Sequence, residues 1–300
     1  MNSTDRASLL LCALFCLLSA LPDRSSAQGV PTPGSRATNA TSGADPDDEE
    51  PELDEVKFVL GTAVSVSPKY SGSDKIGFAI APAGRIVWRG YSISTSSVAR
   101  ASSVAGSSRS AETGLSGPLV RRNRFAFGLG GSLNRGRNIS EEDARLGLKD
   151  IPATLIGRLR LRYTFTPDVS VTALIVGDLL GRQKGLEIPV NLGWQHQLRP
   201  GLLLSSGVGV TWASATTLDN SYGIGEKEHA ASGLPLYNPS SGFREISASI
   251  GLVGEPNQHW IWVARFSLVR LIGPAEKSPI VRQPLQPALL LGLAYRFTLH

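Results

Sequence analysis

Residues 153–165, with the sequence ATLIGRLRLRYTF, constrain the fold more than any other part of the chain. Side chains of a β-strand alternate between its two faces, so every second residue shares a face. One face then holds Ala153, Leu155, Gly157, Leu159, Leu161, Tyr163 and Phe165. The other face carries Arg158, Arg160 and Arg162. Three such arginines are costly to bury in a small soluble sandwich without partners. They suit a transmembrane β-barrel strand, which has one face toward a watery lumen and the other toward lipid.

Eleven further segments have the length and alternation of strands. They cover residues 56–66, 76–88, 91–100, 114–121, 124–133, 169–179, 186–198, 202–212, 244–254, 260–270 and 289–297. Short turns at 166–168, 199–201 and 256–258 alternate with longer connections at 134–152, 180–185, 213–242 and 272–284. That alternation is typical of outer-membrane barrels, as are the aromatic residues near the strand ends. The alternative is that these aromatics form the core of a soluble β-protein. We predict an all-β, antiparallel up-and-down transmembrane barrel of twelve strands, with ten as the alternative.

The first 27 residues have the features of a signal peptide. Arg6 precedes an apolar run at 7–21, which is too short for a comfortable transmembrane helix, and small residues lead up to Ala27. We expect secretion and cleavage after Ala27; a retained signal anchor is the alternative. Cys12 and Cys16, the only cysteines, lie inside this segment. The mature chain is therefore predicted to have no disulfide, no thiolate metal site and no cysteine nucleophile.

Charge is divided unevenly along the remaining chain. Residues 28–55 form a predicted disordered linker that ends in DPDDEEPELDE, with eight acids in eleven residues. A docking tail for a basic partner is the alternative. The predicted barrel region, 56–300, has 27 Lys and Arg against 15 Asp and Glu, a net charge of +12. Such a region favours contact with anionic outer-membrane lipid or lipopolysaccharide. Nucleic acid is a poor alternative and we predict no such partner, because the arginines are spread singly and no basic-aromatic patch appears.

The candidate lumen-lining residues come from the polar faces of the predicted strands. They are Arg158, Arg160, Arg162, Glu187, Arg265 and Arg296. One interpretation is a packed interior in which the arginines pair with Glu187, Asp178 and other acids. The other is a small pore that prefers anions.

Motifs for catalysis, cofactors and metals are weak. The four histidines have no metal-ligand spacing and no Cys/His cluster occurs, so we predict no metal and no cofactor. His196 and His259 are read as residues near turns at the membrane interface. His229 lies in a long loop with Glu226, Glu228 and Ser232. A hydrolase at the rim of the barrel is therefore one hypothesis, although triad geometry is not readable from sequence.

Seven local strings, in this order, carry a family resemblance. They are SPKYSGS (67–73), GLKDIPAT (147–154), TWAS (211–214), YGI (222–224), AASGLPLY (230–237), SPIV (278–281) and YRF (295–297). The chain from 56 to 297 resembles the MltA-interacting protein / OmpV family of bacterial outer-membrane proteins. AASGLPLY and SPIV are the most specific strings, and the former contains the predicted family-motif loop: Ser232, Gly233, Leu234, Pro235 and Tyr237.

The resemblance implies a non-enzymatic barrel in the outer membrane of a Gram-negative bacterium. It also implies a scaffold role in peptidoglycan maintenance, in which the barrel brings a lytic murein transglycosylase together with a murein synthase. It supplies no catalytic residue and no cofactor. Barrels of this kind usually end on an aromatic residue. This sequence departs from that pattern, because Thr298, Leu299 and His300 follow the aromatic Phe297.

Overall fold

The protein forms a closed barrel of twelve antiparallel strands, which confirms the predicted fold class. The computed structural model describes residues 56–88, 91–96, 114–134 and 136–299. The predicted signal peptide and the acidic linker, 1–55, lie outside the described residues. Each strand pairs with its neighbours in sequence, and β1 pairs with β12 from Val56↔Leu299 to Val66↔Leu289. This last pairing closes the barrel and leaves no open sheet edge.

The strand bounds follow the alternation in the sequence closely. The strands are β1 Val56–Pro68, β2 Ile76–Trp88, β3 Tyr91–Ser96, β4 Gly114–Arg122, β5 Phe125–Asn134, β6 Thr154–Thr166, β7 Val169–Asp178, β8 Leu186–Arg199, β9 Leu202–Ala213, β10 Gly242–Gly254, β11 Trp260–Leu271 and β12 Leu285–Leu299. The sequence predicts the third strand over residues 91–100, of which 97–100 lie outside the described part of the chain.

Short helices occur only in the long connections of the described chain. They are α1 Glu141–Arg145, α2 Ala215–Tyr222, α3 Glu226–Ser232 and α4 Gly273–Glu276. In the segments that the structure describes, no helix combines the length and apolar character needed to cross a bilayer.

The two ends of the barrel differ. The first and last strand residues, Val56 and Leu299, lie side by side at one end, and we call it the short-turn end because tight turns join the strands there. Two of these turns place Asn123 (φ 52°) and Gly201 (φ 73°) in the left-handed region, which Asn and Gly adopt most readily. The long connections gather at the opposite end, and the alternation predicted from the sequence is thus observed.

The outer surface is apolar and ends in an aromatic belt. Outward side chains such as Phe78 and Leu133 are 64% and 65% exposed, as expected of lipid-facing residues. Near the short-turn end the rings of Phe125, Tyr163 and Phe165 contact one another across β5 and β6, with centroids 4.7 and 4.9 Å apart. A second group on β11 and β12 contains Trp260, Tyr295 and Phe297. Aromatic residues at this level mark a lipid–water boundary.

Candidate functional site: the loop cap and the lumen

Four long connections fold into an ordered structure at the end opposite the short-turn end. They are residues 69–75, 136–153, 214–241 and 272–284, which together we call the loop cap. One buried apolar cluster at its base contains Ala213, Leu218, Tyr222, Leu271 and Ala275, all at most 1% exposed. A second cluster contains Leu148, Ile224 and Ile280, with Tyr70, Leu146, Leu234 and Tyr237 packed against it. Since each cluster draws on several connections, the loops stabilise one another as a small hydrophobic core.

Tyr222, at the end of α2, joins three parts of the loop cap. Its side chain is 1% exposed, and its hydroxyl lies 2.6 Å from Oγ of Ser71 in the first connection. Its carbonyl accepts a 2.6 Å hydrogen bond from Oγ of Ser278 in the last connection. Gly223 follows it, and Ile224 then pairs with Tyr237 through two backbone hydrogen bonds. The side chain and the backbone of this one buried residue thus bond to segments that lie 151 and 56 residues away in sequence.

Gly72 and Gln286 attach the first connection to the last. The amide of Gly72 donates to Oε1 of Gln286 at 3.0 Å, and its carbonyl accepts from the amides of Arg282 and Gln283 at 2.8 and 3.0 Å. Gln286 is fully buried. Gly72 has a φ of 98°, and a β-carbon there would lie 2.7 Å from Cγ2 of Val281. Glycine is therefore required at this position for both conformation and space.

The family-motif loop forms the outer part of the loop cap. Gly233 ends α3 in the left-handed conformation (φ 73°), Ser232 Oγ accepts from the Leu234 amide at 3.2 Å, and Leu234 packs on the second cluster. Tyr237 donates its hydroxyl to the carbonyl of Pro274 at 2.6 Å, and Pro235 is exposed. Burial raises the pKa of Tyr237 above its ordinary value of 10.0 and raises that of Tyr70 as well. These residues have structural contacts within the cap.

The proposed hydrolase constellation is not assembled in this loop. Nδ1 of His229 lies 2.7 Å from the carbonyl oxygen of Leu234, so this nitrogen carries the proton and donates it to the backbone. The hydroxyl of Ser232 donates to the carbonyl of Glu228, and the Glu228 carboxylate accepts from the Gly225 amide. Each polar group thus serves the local turn, and the nucleophile–base hydrogen bond of a triad is not made.

A buried ion-pair network lies directly beneath the loop cap. Arg244 donates to Oε1 of Glu187 at 2.7 Å and to both carboxylate oxygens of Glu245 at 3.0 and 3.2 Å. The side chains of Arg244 and Glu245 are only 3% and 4% exposed. Oγ1 of Thr211 donates a further hydrogen bond to Glu245 at 3.3 Å. A bidentate geometry of this kind fixes both charged groups and links β8, β9 and β10.

A β-bulge brings Arg244 into the barrel. Phe243 pairs with Trp212 and Glu245 pairs with Thr211, so Arg244 is the extra residue on β10. Strict alternation would place Arg244 on the lipid side with Ile246, which is 39% exposed. Two consecutive residues, Arg244 and Glu245, point inward instead, as an inserted residue allows. Sequence alternation alone could not reveal this pair, although two adjacent opposite charges at the start of a strand were the available signal.

The other predicted lumen residues lie on the enclosed side of the wall. Arg158 and Arg160 are each 8% exposed, whereas Leu159 between them is 39% exposed. Nη2 of Arg158 donates to Oγ of Ser132 at 2.5 Å. Arg162 and Arg265 are half-buried.

The carboxylates pair in part as the packed-interior interpretation expects, since Arg296 pairs with an acid, but Glu187 and Asp178 have other partners. Glu187 pairs with Arg244 and not with one of the predicted arginines. Asp178 instead accepts hydrogen bonds from Thr154 and from the amides of Leu180, Gln183 and Lys184, because it ends β7 where the chain turns. Arg296 pairs with Glu255 at 2.7 Å near the short-turn end.

Burial of the inward residues differs between the two halves of strands β9 to β12. At the cap end, the inward residues Thr211, Ala213, Val269, Leu271 and Gln286 are at most 1% exposed. In the other half of β9 to β12, Gly251 and Val253 are buried, but several inward residues are partly exposed. They are Ser205, Gly207, Ser249, Ser267, Gly292 and Ala294. The loop cap therefore covers the inward residues at its end of these strands.

Other site chemistry is sparse in the described ranges. No group of three or more His, Cys, Asp and Glu side chains in them is arranged to hold a metal ion. His196 stacks on Trp194, with ring centroids 5.6 Å apart, and its Nδ1 lies 3.2 Å from Asp168. His259 stacks on Tyr295. Both histidines thus lie in the aromatic belt at the short-turn end.

Two solved outer-membrane channels are similar to the chain at a low level. The COG4313 outer membrane channel from Pseudomonas putida F1 is 10% identical, with 86% of this chain and 100% of that chain covered and a TM-score of 0.43. The KdgM porin in complex with disordered oligogalacturonate is 11% identical, with 81% of this chain and 99% of that chain covered and a TM-score of 0.36. Nothing about function follows from likeness at this level.

The sequence comparisons are more informative. The MltA-interacting protein of Escherichia coli (strain K12) is 29% identical over 154 residues, which are 50% of this chain and 59% of the relative, and that of Shigella flexneri has the same values. The chain thus matches less than two thirds of the length of these relatives. The family model described as MltA-interacting protein MipA matches residues 60–297, which include most of β1 and β12, all of the strands between them and the whole loop cap. The chain belongs to the MltA-interacting protein MipA family.

Proposed function

We propose that the protein is a non-enzymatic outer-membrane barrel that acts as a scaffold in peptidoglycan maintenance. Family membership over residues 60–297 is the observation that carries the proposal, since the curated relatives are named for interaction with MltA. The partner would be a lytic murein transglycosylase, and the scaffold would bring it together with a murein synthase. The apolar outer wall would lie in the lipid and lipopolysaccharide of the outer membrane of a Gram-negative bacterium, after cleavage of the signal peptide at Ala27.

The architecture supports an anchor more than a channel. The loop cap is packed by two apolar clusters, and the ion-pair network of Arg244, Glu187 and Glu245 lies beneath it. A channel open at both ends needs a continuous watery path, which side chains at most 1% exposed do not provide. The small anion-preferring pore is therefore the less favoured reading. The rim hydrolase has less support still, because His229 and Ser232 bond to the backbone.

The short-turn end would face the periplasm, because outer-membrane barrels have short periplasmic turns and longer extracellular loops. This end exposes the basic residues Arg122, Arg124 and Arg199 in its turns. We propose that these residues contact a periplasmic enzyme, together with the linker 28–55 that precedes β1 in the sequence. Arginine is enriched among the residues that dominate protein interfaces.

A binding assay with purified proteins tests this function. The barrel in detergent is immobilised and titrated with the lytic murein transglycosylase from the same organism. We expect Arg122→Ala with Arg124→Ala to weaken binding by about thirtyfold, the equivalent of one 2 kcal/mol hot spot. The matched control removes two exposed charges from the long-loop end, by Arg182→Ala with Lys184→Ala, and leaves binding unchanged. No binding by the unaltered barrel, or equal loss in both variants, would contradict the proposed scaffold.

A further inference from the structure

We propose that the β7–β8 connection, residues 179–185, and the outer wall beside it bind the lipid A part of lipopolysaccharide, a phosphorylated and multiply acylated glycolipid. A phosphate would lie against Arg182 and Lys184, and acyl chains would cover the leucines next to them. The inference rests on the proposed function only for the orientation of the barrel, with the long-loop end outward, and not on an enzyme partner. It follows from the fixed shape of the connection, its charge, and the apolar wall beside it.

The β7–β8 connection is held in place by hydrogen bonds to both sides. Asp178, the last residue of β7, accepts from the amides of Leu180 and Lys184 at 3.0 Å each. Nη1 of Arg182 donates to the carbonyl of Ala153, next to the start of β6, at 3.0 Å. The guanidinium has five N–H groups, so this one bond leaves others that can donate to a ligand. Because the connection is already ordered, a ligand bound there loses less affinity to the ordering of the site.

The exposed part of the connection carries only positive charge. Residues 179–186, with the sequence LLGRQKGL, contain one arginine, one lysine and no acid. Both basic residues are exposed, and within the described ranges neither forms an ion pair with a carboxylate. The flanking acids have other partners, since Asp178 bonds to Thr154 and Glu187 pairs with Arg244. A phosphate group, with its negative charge and several acceptor oxygens, suits a neighbouring arginine and lysine.

Large aliphatic side chains cover the outer wall next to the two basic residues. Leu133 on β5 pairs with Leu155 on β6, and the amide of Leu179 donates to the carbonyl of Leu155 at 2.8 Å. These three leucines therefore form a row across β5, β6 and the end of β7, which Leu186 continues at the start of β8. Together with Leu180 they are between 36% and 65% exposed. In the outer membrane, such a surface is covered by acyl chains.

Aromatic residues on the next strands place the two basic residues at the level of the lipid headgroups. Trp212 on β9 pairs with Ile188 on β8 and with Phe243 on β10, and Phe243 is 56% exposed. Outward aromatic residues at this end mark the outer lipid–water boundary. Lys184 lies four residues from Ile188 toward the long-loop end, and it is thus just outside the hydrocarbon. Lipid A has its phosphates at this level and its acyl chains directly below, whereas a soluble anion would leave the leucines uncovered.

Charge also favours lipid over a second copy of the chain as the occupant. In a two-fold symmetric contact the same surface patch meets itself. Arg182 and Lys184 would then lie close to the same two cations of the other copy. Like charges that face each other across an interface are unfavourable.

Native mass spectrometry of the purified chain in detergent tests the proposal, with diphosphorylated lipid A as the probe. We expect Arg182→Ala with Lys184→Ala to weaken binding about thirtyfold, because each basic residue at an anionic lipid surface contributes about 1 kcal/mol. Lipid A without its two phosphates should bind the unaltered chain and this variant equally weakly. Arg182→Lys with Lys184→Arg keeps both charges and should preserve most of the binding.

The matched control removes one arginine and one lysine from exposed positions on the helices of the loop cap, by Arg145→Ala on α1 with Lys227→Ala on α3. It changes the net charge equally and should leave the affinity for lipid A unchanged. The transglycosylase assay separates this site from the scaffold. A barrel that binds the enzyme but loses lipid A on Arg182→Ala with Lys184→Ala supports both proposals, whereas one that binds lipid A but no enzyme contradicts the scaffold alone.

Unchanged affinity after Arg182→Ala with Lys184→Ala, or an equal loss in the control variant, would overturn the lipid site. Tight binding of the dephosphorylated lipid would assign the surface to acyl chains alone and would also overturn it. Displacement of lipid A by an equal concentration of inorganic phosphate would assign it to a free anion. A lipid-free dimer that the double alanine variant dissociates would assign it to a second copy, and either result would contradict the proposal.

Discussion

Replacement of Arg244 by methionine should destabilise the barrel strongly. Methionine has a similar length and keeps much of the packing, but it leaves two carboxylates, Glu187 and Glu245, beneath the loop cap without their cation. The side chains of the three residues are 3%, 18% and 4% exposed, so little water is available to replace the lost pairing. Removal of one partner from a buried ion pair costs about 3–5 kcal/mol. We expect the free energy of unfolding to fall by that amount.

The assay is guanidinium unfolding of the protein in lipid vesicles, followed by tryptophan fluorescence. The matched variant combines Arg244→Met with Glu187→Gln and Glu245→Gln. It should recover most of the loss, because replacement of a whole buried ion pair by uncharged groups is often close to neutral. A loss below about 1 kcal/mol for Arg244→Met alone, which is the range of an exposed pair, would refute the view that this network is buried and mutually dependent.

Further predictions concern the loop cap. Gly72→Val should loosen the loop cap and expose residues 272–284 to protease, because the new side chain would clash with Val281 and a φ of 98° strains it. Gly181→Val should not have this effect, since φ there is 68° and no atom lies within 4 Å of the added β-carbon. Equal cleavage of both variants would contradict the packing argument. Burial raises the pKa of Tyr237, so its stabilising contribution is present below pH 10.0 and is lost as the pH rises through the raised pKa. Protease sensitivity should therefore increase at pH 11 in the native chain, and Tyr237→Phe should remove part of that increase; an unchanged profile would contradict this. Lys149→Ala should lower the free energy of unfolding by at most about 1 kcal/mol, because its partner Asp219 is 38% exposed to solvent. The effect should be smaller at high salt, which screens exposed charges. A loss above about 2 kcal/mol would contradict the assignment of a surface ion pair.

The wall of the barrel was readable from the sequence because a period of two is imposed on nearly every strand by lipid on one side and the lumen on the other. The strand 153–165 shows this most directly, since its leucines and arginines alternate without exception from 158 to 161. The turns were readable as well, because Pro167, Pro200 and Pro256 stand where strands end.

The loop cap was not readable in the same way, because its contacts join residues far apart in sequence. Tyr222 bonds to Ser71 across 151 positions, and Gln286 bonds to Gly72 across 214. No local pattern encodes such pairs. The strings that carry the family resemblance did mark the loop cap, because all of them except YRF contribute residues to the cap or its base. The bulge at Arg244 was missed for a different reason, because one inserted residue reverses the faces of a strand.

Single-channel conductance measurement tests the central claim, which is that this barrel is capped at one end and does not act as an open channel. The purified full-length protein is inserted into a planar lipid bilayer, with insertion checked by a porin reconstituted in parallel. The account predicts no steady ohmic conductance for the unaltered chain. Stable, anion-selective current steps from that chain would contradict the capped lumen and favour the pore.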